Sequence, residues 1–102
     1  MKKDEILNFL KEFKKSSQNK IFSEIGLFGS YAKNENDVYS DIDVAIKIDS
    51  NALSKYDVWE YFDALNKIKS SLLERFGLKS DIFDMDSQTP LVEKIKKDII
   101  YV

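Results

Sequence analysis

Two kinds of apolar spacing run along this chain. In "DEILNFLKEF", Ile6, Leu7, Leu10 and Phe13 recur at the three- and four-residue intervals of one helical face. That spacing predicts a helix over 4–17, with Asp4 as its N-cap and Lys14 and Lys15 suited to its C-terminal end. The run 21–28 is short and β-prone and ends at Gly29 and Ser30, which reads as a strand feeding a turn. In "DIDVAIKI" the period falls to two: Ile42, Val44, Ile46 and Ile48 face one way, and Asp41, Asp43, Ala45 and Lys47 the other.

The helical period returns from about Ser54 to Phe76, where Val58, Tyr61, Phe62, Leu65, Ile68, Leu72 and Phe76 trace one stripe. Gly77 is the expected C-cap. Tyr56 and Trp59 fall at the margin of that stripe, where they serve either the core or a protein contact. "LKSDIFDMD" predicts a third strand, with Asp81 and Phe83 on one face and Ile82 and Asp84 on the other. Thr89 is expected to cap, and Pro90 to open, a last helix over 91–98, and "IIYV" predicts a closing strand. This order implies an α/β (α+β) fold, a small mixed sheet with helices packed mainly on one face.

Composition narrows the chemistry. At 102 residues the chain predicts a single domain, 1–102, with no second lobe to hold a substrate. Lys and Arg total 16 against 18 acidic residues, a balance unlike that of a general nucleic-acid binder. There is no histidine and no cysteine, which removes the usual zinc sites, disulfides and Ser-His or Cys-His catalysis. Any metal must be held by oxygen. No apolar run approaches membrane-spanning length, and the sequence reads as cytoplasmic.

The polar face of "DIDVAI" then stands out, because aspartate is a poor strand former and two of them share that face. Residues i and i+2 on a strand have α-carbons roughly 6.5–7 Å apart, close enough for two carboxylates to grip one divalent ion or a pair. Mg²⁺ suits such a site because it keeps waters and borrows ligands from a substrate's phosphates. Asp81 is the candidate third carboxylate, with Asp84 its nearest rival. Gly29 and Ser30 lie upstream, where glycine lets backbone approach a ligand and a helical turn beginning at Ser30 favours phosphate. Each piece also has a plain structural reading: a solvated strand face for the aspartates, a turn former and a helix cap for Gly29 and Ser30, an exposed lysine for Lys33.

Gly29-Ser30, Ala32 and Ser40-Asp41-Ile42-Asp43-Val44 resemble the signature of the DNA polymerase β-like nucleotidyltransferase superfamily, and the short chain resembles its minimal branch. The resemblance covers nearly the whole chain, since a third strand with one more aspartate is also expected there. It implies that Asp41, Asp43 and Asp81 bind two Mg²⁺ ions, and that Gly29, Ser30, Lys33 and Ser40 surround the phosphates of ATP. It further implies an antitoxin that transfers AMP to a hydroxyl, commonly a tyrosine, of a HEPN-domain ribonuclease toxin, with neither nucleic acid nor membrane as partner. Lys33-Asn34 stands where the family commonly has Arg-Gly, so the bidentate fork is lost, while Asn34 tolerates a left-handed backbone. The alternative reading is an antitoxin that neutralises its toxin by binding alone.

Overall fold

The computed structural model describes residues 2–16 and 21–102. Its elements are α1 (Lys2–Lys15), β1 (Phe22–Phe28), α2 (Gly29–Ala32), β2 (Ile42–Ile48), a 3-10 turn (Ala52–Ser54), α3 (Val58–Phe76), β3 (Ser80–Asp84), α4 (Leu91–Asp98) and β4 (Ile100–Tyr101). The sheet runs β3-β2-β1-β4, with β1 antiparallel to both β2 and β4, and β2 parallel to β3. A parallel pair cannot be joined by a tight turn, so α3 serves as the crossover between β2 and β3. The sheet is mixed, as the alternation of periods predicts.

The apolar face of the sheet fixes where the helices sit. Ile25 and Leu27 of β1 and Ile42, Val44 and Ile46 of β2 are buried with Ile6, Leu10 and Phe13 of α1 and Ile68 and Leu72 of α3 in one core. Each such side chain contributes roughly 1.5–3 kcal/mol on leaving water. Phe9 and Phe76 meet edge to face at 6.0 Å, tying α1 to the end of α3. The opposite face is also covered in part: Ala45 is buried there, and a Cβ on its partner Gly26 would strike the side chain of Ile99, the residue that closes α4.

Several boundaries differ from the sequence expectation. α1 begins at Lys2, so Asp4 lies in its first turn instead of capping it, still favourably placed in the helix dipole; residue 17, the expected end, lies outside the described residues. α3 begins at Val58 because the Asp57 carboxylate caps it, accepting from the Glu60 N–H at 2.9 Å, and Ala52–Ser54 forms a separate turn. Of the expected α3 stripe, Ile68 and Leu72 are buried and Tyr61, Leu65 and Phe76 pack against the core, whereas Val58 and Phe62 are 57% and 49% exposed and Ala64 is buried in their stead. Pro90 occupies the N-cap of α4, one position earlier than expected. Gly77 closes α3 in the left-handed conformation, φ 68°, its N–H donating to the Leu73 carbonyl at 2.8 Å.

Candidate active site

The first wall of the site is the turn that follows β1. Gly29 has φ 75°, and a Cβ there would overlap the carboxylate of Asp43, whose Cγ would lie 3.0 Å away. Glycine is therefore required twice, for the left-handed backbone and for the space. The antiparallel register that pairs Phe28 with Asp43 brings the two together. Beyond Gly29, Tyr31 and Ala32 are buried in the core and anchor α2. The turn closes with the Lys33 N–H donating to the Gly29 carbonyl (3.2 Å) and the Glu35 N–H to the Ser30 carbonyl (2.8 Å), while Asn34 adopts φ 58°. The left-handed position after Lys33 is thus filled by asparagine.

The second wall is the carboxylate row. β2 and β3 run parallel with Asp43 opposite Asp81, and the Ile42 N–H donates to the Lys79 carbonyl at 2.9 Å. Neighbouring strands stand about 4.8 Å apart, so the two aspartates are side by side on one sheet face. Asp41 is exposed at the mouth of β2. The half-buried Asp43 carboxyl is held above the usual carboxylate range, first by burial, then by the negative charges of Asp81 and of Asp41. Asp84, the rival for the third position, pairs with Ile46 further along the strand and lies beside Tyr61, whose phenol is held above its usual range first by burial and then by the Asp84 carboxylate.

This row suits a hard cation in one specific sense. Among the described residues no three acidic side chains are grouped so that together they could hold a metal ion. Mg²⁺ does not demand such a group, since it binds through one or two carboxylates and completes its shell with waters and substrate phosphates. The uncompensated charge around Asp43, in an all-oxygen donor set, is what such an ion relieves.

The remaining predicted residues are arranged around this row. Ser40 directly precedes Asp41, and its hydroxyl is tied into the loop: it accepts from the Asp37 N–H at 2.9 Å and donates to the Asp37 carboxylate at 3.3 Å. Lys33 reaches Asp98 of α4 at 3.8 Å, an exposed pair worth little energetically and easily exchanged. Tyr31 is a residue the sequence did not single out; burial pushes its phenol up, and the charges of Asp37 and Asp41 add to that.

On the β3 side the row opens into a cleft of about 510 Å³ between α3 and the start of β3. Asp41 and Asp81 line it together with Lys69, Leu73, Lys79 and Ser80. Ser80 is only 8% exposed, and its hydroxyl has no hydrogen-bond partner. Beyond the two aspartates, nothing local in the sequence marks Lys69, Leu73, Lys79 and Ser80 as neighbours, because the crossover alone brings α3 to β3.

Comparison with known proteins gives the family. The sequence profile of the nucleotidyltransferase domain matches residues 4–102. The chain belongs to the nucleotidyltransferase domain family. This nucleotidyltransferase is 36% identical over 101 residues to "Putative protein adenylyltransferase MJ1379" of Methanocaldococcus jannaschii, covering 96% of this chain and 95% of the relative. It is 28% identical over 102 residues to the protein adenylyltransferase MntA of Thermococcus cleftensis, covering 97% and 94% respectively. Its fold matches a chain of a toxin–antitoxin complex crystallised with AMP-PNP, with a TM-score of 0.60, 20% identity, and coverage of 99% of this chain and 72% of the other. A mutant MntA–HpeT toxin–antitoxin complex matches at a TM-score of 0.57 and 18% identity, covering 99% and 71%.

Proposed function

We propose that residues 1–102 act as one minimal nucleotidyltransferase domain that transfers AMP from ATP to a hydroxyl, commonly of tyrosine, on a HEPN-domain toxin, and so neutralises it. The observation that carries this reading is the alignment of Asp43 with Asp81 across a parallel strand pair, with Gly29 making room for the Asp43 carboxylate at the adjoining turn. Names borne by relatives support the activity: protein adenylyltransferase for MntA of T. cleftensis, and a toxin–antitoxin complex with AMP-PNP for the structural match.

In this reading Asp41, Asp43 and Asp81 would hold two Mg²⁺ ions, which supply charge neutralisation on the phosphates and acidify the attacking hydroxyl. Gly29 and Ser30 offer backbone to the triphosphate, and Lys33 leaves Asp98 to meet it. Ser40, tied to Asp37, fixes the approach of the chain into Asp41. Asp81, exposed at the edge strand, takes the proton of the acceptor hydroxyl. Exposure at Asp41 and Asp81 leaves the acceptor free to arrive from solvent on a partner's surface. With no helix among the described residues long and apolar enough to cross a membrane, a cytoplasmic setting fits this role.

The test is incubation with labelled ATP, Mg²⁺ and the product of the adjoining gene, comparing the natural chain with Asp41→Asn. Label on the partner with the natural chain alone supports transfer. Tight complex formation without label favours neutralisation by binding.

A further inference from the structure

The site has two sides, and phosphoryl chemistry assigns them different jobs. Attacking and leaving oxygens lie roughly in line through the transferred phosphorus. If the triphosphate tail rests at the Gly29–Ser30 turn, on the β1 side of the carboxylates, the attacking oxygen has to enter from the β3 side. That side holds the cleft between α3 and β3.

The cleft has the makings of a recognition site. Ser80 lies in its inner wall, more than nine-tenths buried, with a hydroxyl that has no partner, a costly arrangement unless something polar reaches it. Lys69 of α3 and Lys79, directly before β3, both line the cleft, and neither belongs to an ion pair among the described residues. Leu73, one turn beyond Lys69, is 53% exposed at its rim. Along the same face of α3 the exposure continues through Phe62 at 49% and Trp59 at 74%. Apolar and aromatic anchors beside a polar pocket are the anatomy of a protein interface, and the net charge of -2 argues against a nucleic-acid occupant.

We infer that the α3–β3 cleft is the acceptor-recognition site of the transfer proposed above, and that it takes a polypeptide segment carrying its hydroxyl side chain beside acidic residues. The argument rests on that transfer reading. The segment's carboxylates lie between Lys69 and Lys79, its backbone or a polar side chain satisfies Ser80, and an apolar neighbour covers Leu73. Its hydroxyl oxygen forms a bond to the α-phosphorus as the bond to the bridging oxygen of pyrophosphate breaks. Pyrophosphate leaves toward Gly29 and Ser30, and the hydroxyl proton passes to Asp81 and on to solvent.

Two synthetic peptides test this, alike except that a central tyrosine is flanked by glutamates in one and by lysines in the other, each incubated with the full chain, labelled ATP and Mg²⁺. The natural chain is expected to label the glutamate peptide at least about tenfold more than the lysine peptide, and Lys69→Glu with Lys79→Glu is expected to reverse that order. Mg-ATP uptake by calorimetry should stay unchanged in the double variant. Leu73→Asp, at an exposed position where folding is not at stake, should reduce labelling of the glutamate peptide. Equal labelling of the two peptides, a preference untouched by charge reversal, or intact Mg-ATP uptake with neither peptide labelled would each overturn the inference. Failure of the natural chain to take up Mg-ATP would instead overturn the transfer reading beneath it.

Discussion

The carboxylate of Asp43 occupies the space that a side chain on Gly29 would need. The turn after β1 and the central carboxylate are therefore one mechanical unit. Gly29→Ala must both adopt a left-handed backbone, at about 1–2 kcal/mol, and displace Asp43. We expect lowered stability of at least that size in denaturant titration, together with transfer activity reduced far beyond what the fraction unfolded accounts for.

Burial, Asp81 and Asp41 hold the Asp43 carboxyl above its unfolded value of 3.8. The folded state therefore binds that proton more tightly than the unfolded chain does. The residue's contribution to stability is complete below the unfolded value and is lost as pH rises through the higher folded one. Without divalent metal, Asp43→Asn should melt at a higher temperature than the natural chain near neutral pH, with the gap closing toward about pH 4. Added Mg²⁺ should raise the melting temperature of the natural chain and leave the variant nearly unmoved.

Asp81 and Asp84 share a strand but differ in company, the first opposite Asp43 and the second beside Tyr61. Asp81→Asn is expected to lower transfer by about a hundredfold or more with an unchanged circular dichroism spectrum. Asp84→Asn should instead cost stability through the Tyr61 contact and leave transfer per folded molecule within about threefold, too small a change for a group that touches the reacting atoms. The reverse ranking would reassign the third carboxylate.

Gly77 supplies a control away from the chemistry. A Cβ there meets nothing within 4 Å, so Gly77→Ala costs only the left-handed backbone, about 1 kcal/mol. Transfer by the folded fraction should be unaltered.

Much of this was legible in the sequence wherever the signal was local. The two-residue period of Ile42, Val44 and Ile46 gave β2 its buried face, and Gly77 marked the end of α3. Asn34 adopts the left-handed backbone that its side chain suits. Periodicity misread the start of α3, where Val58 and Phe62 continue an apolar pattern but are largely exposed, leaving small Ala64 to face the core. It also placed Ala45 on a polar face, whereas the close of α4 covers that side near Gly26. The Lys33–Asp98 pair and the cleft beside Ser80 join segments far apart in the chain, and no local pattern encodes such meetings.

The crossover through α3 has a consequence for when the protein can act. Asp43 and Asp81 belong to neighbouring strands joined through a helix that seats Ile68 and Leu72 in the core. In the transfer proposed above, a chain whose crossover has come loose should lose activity, so activity would double as an assay of whether this segment has docked.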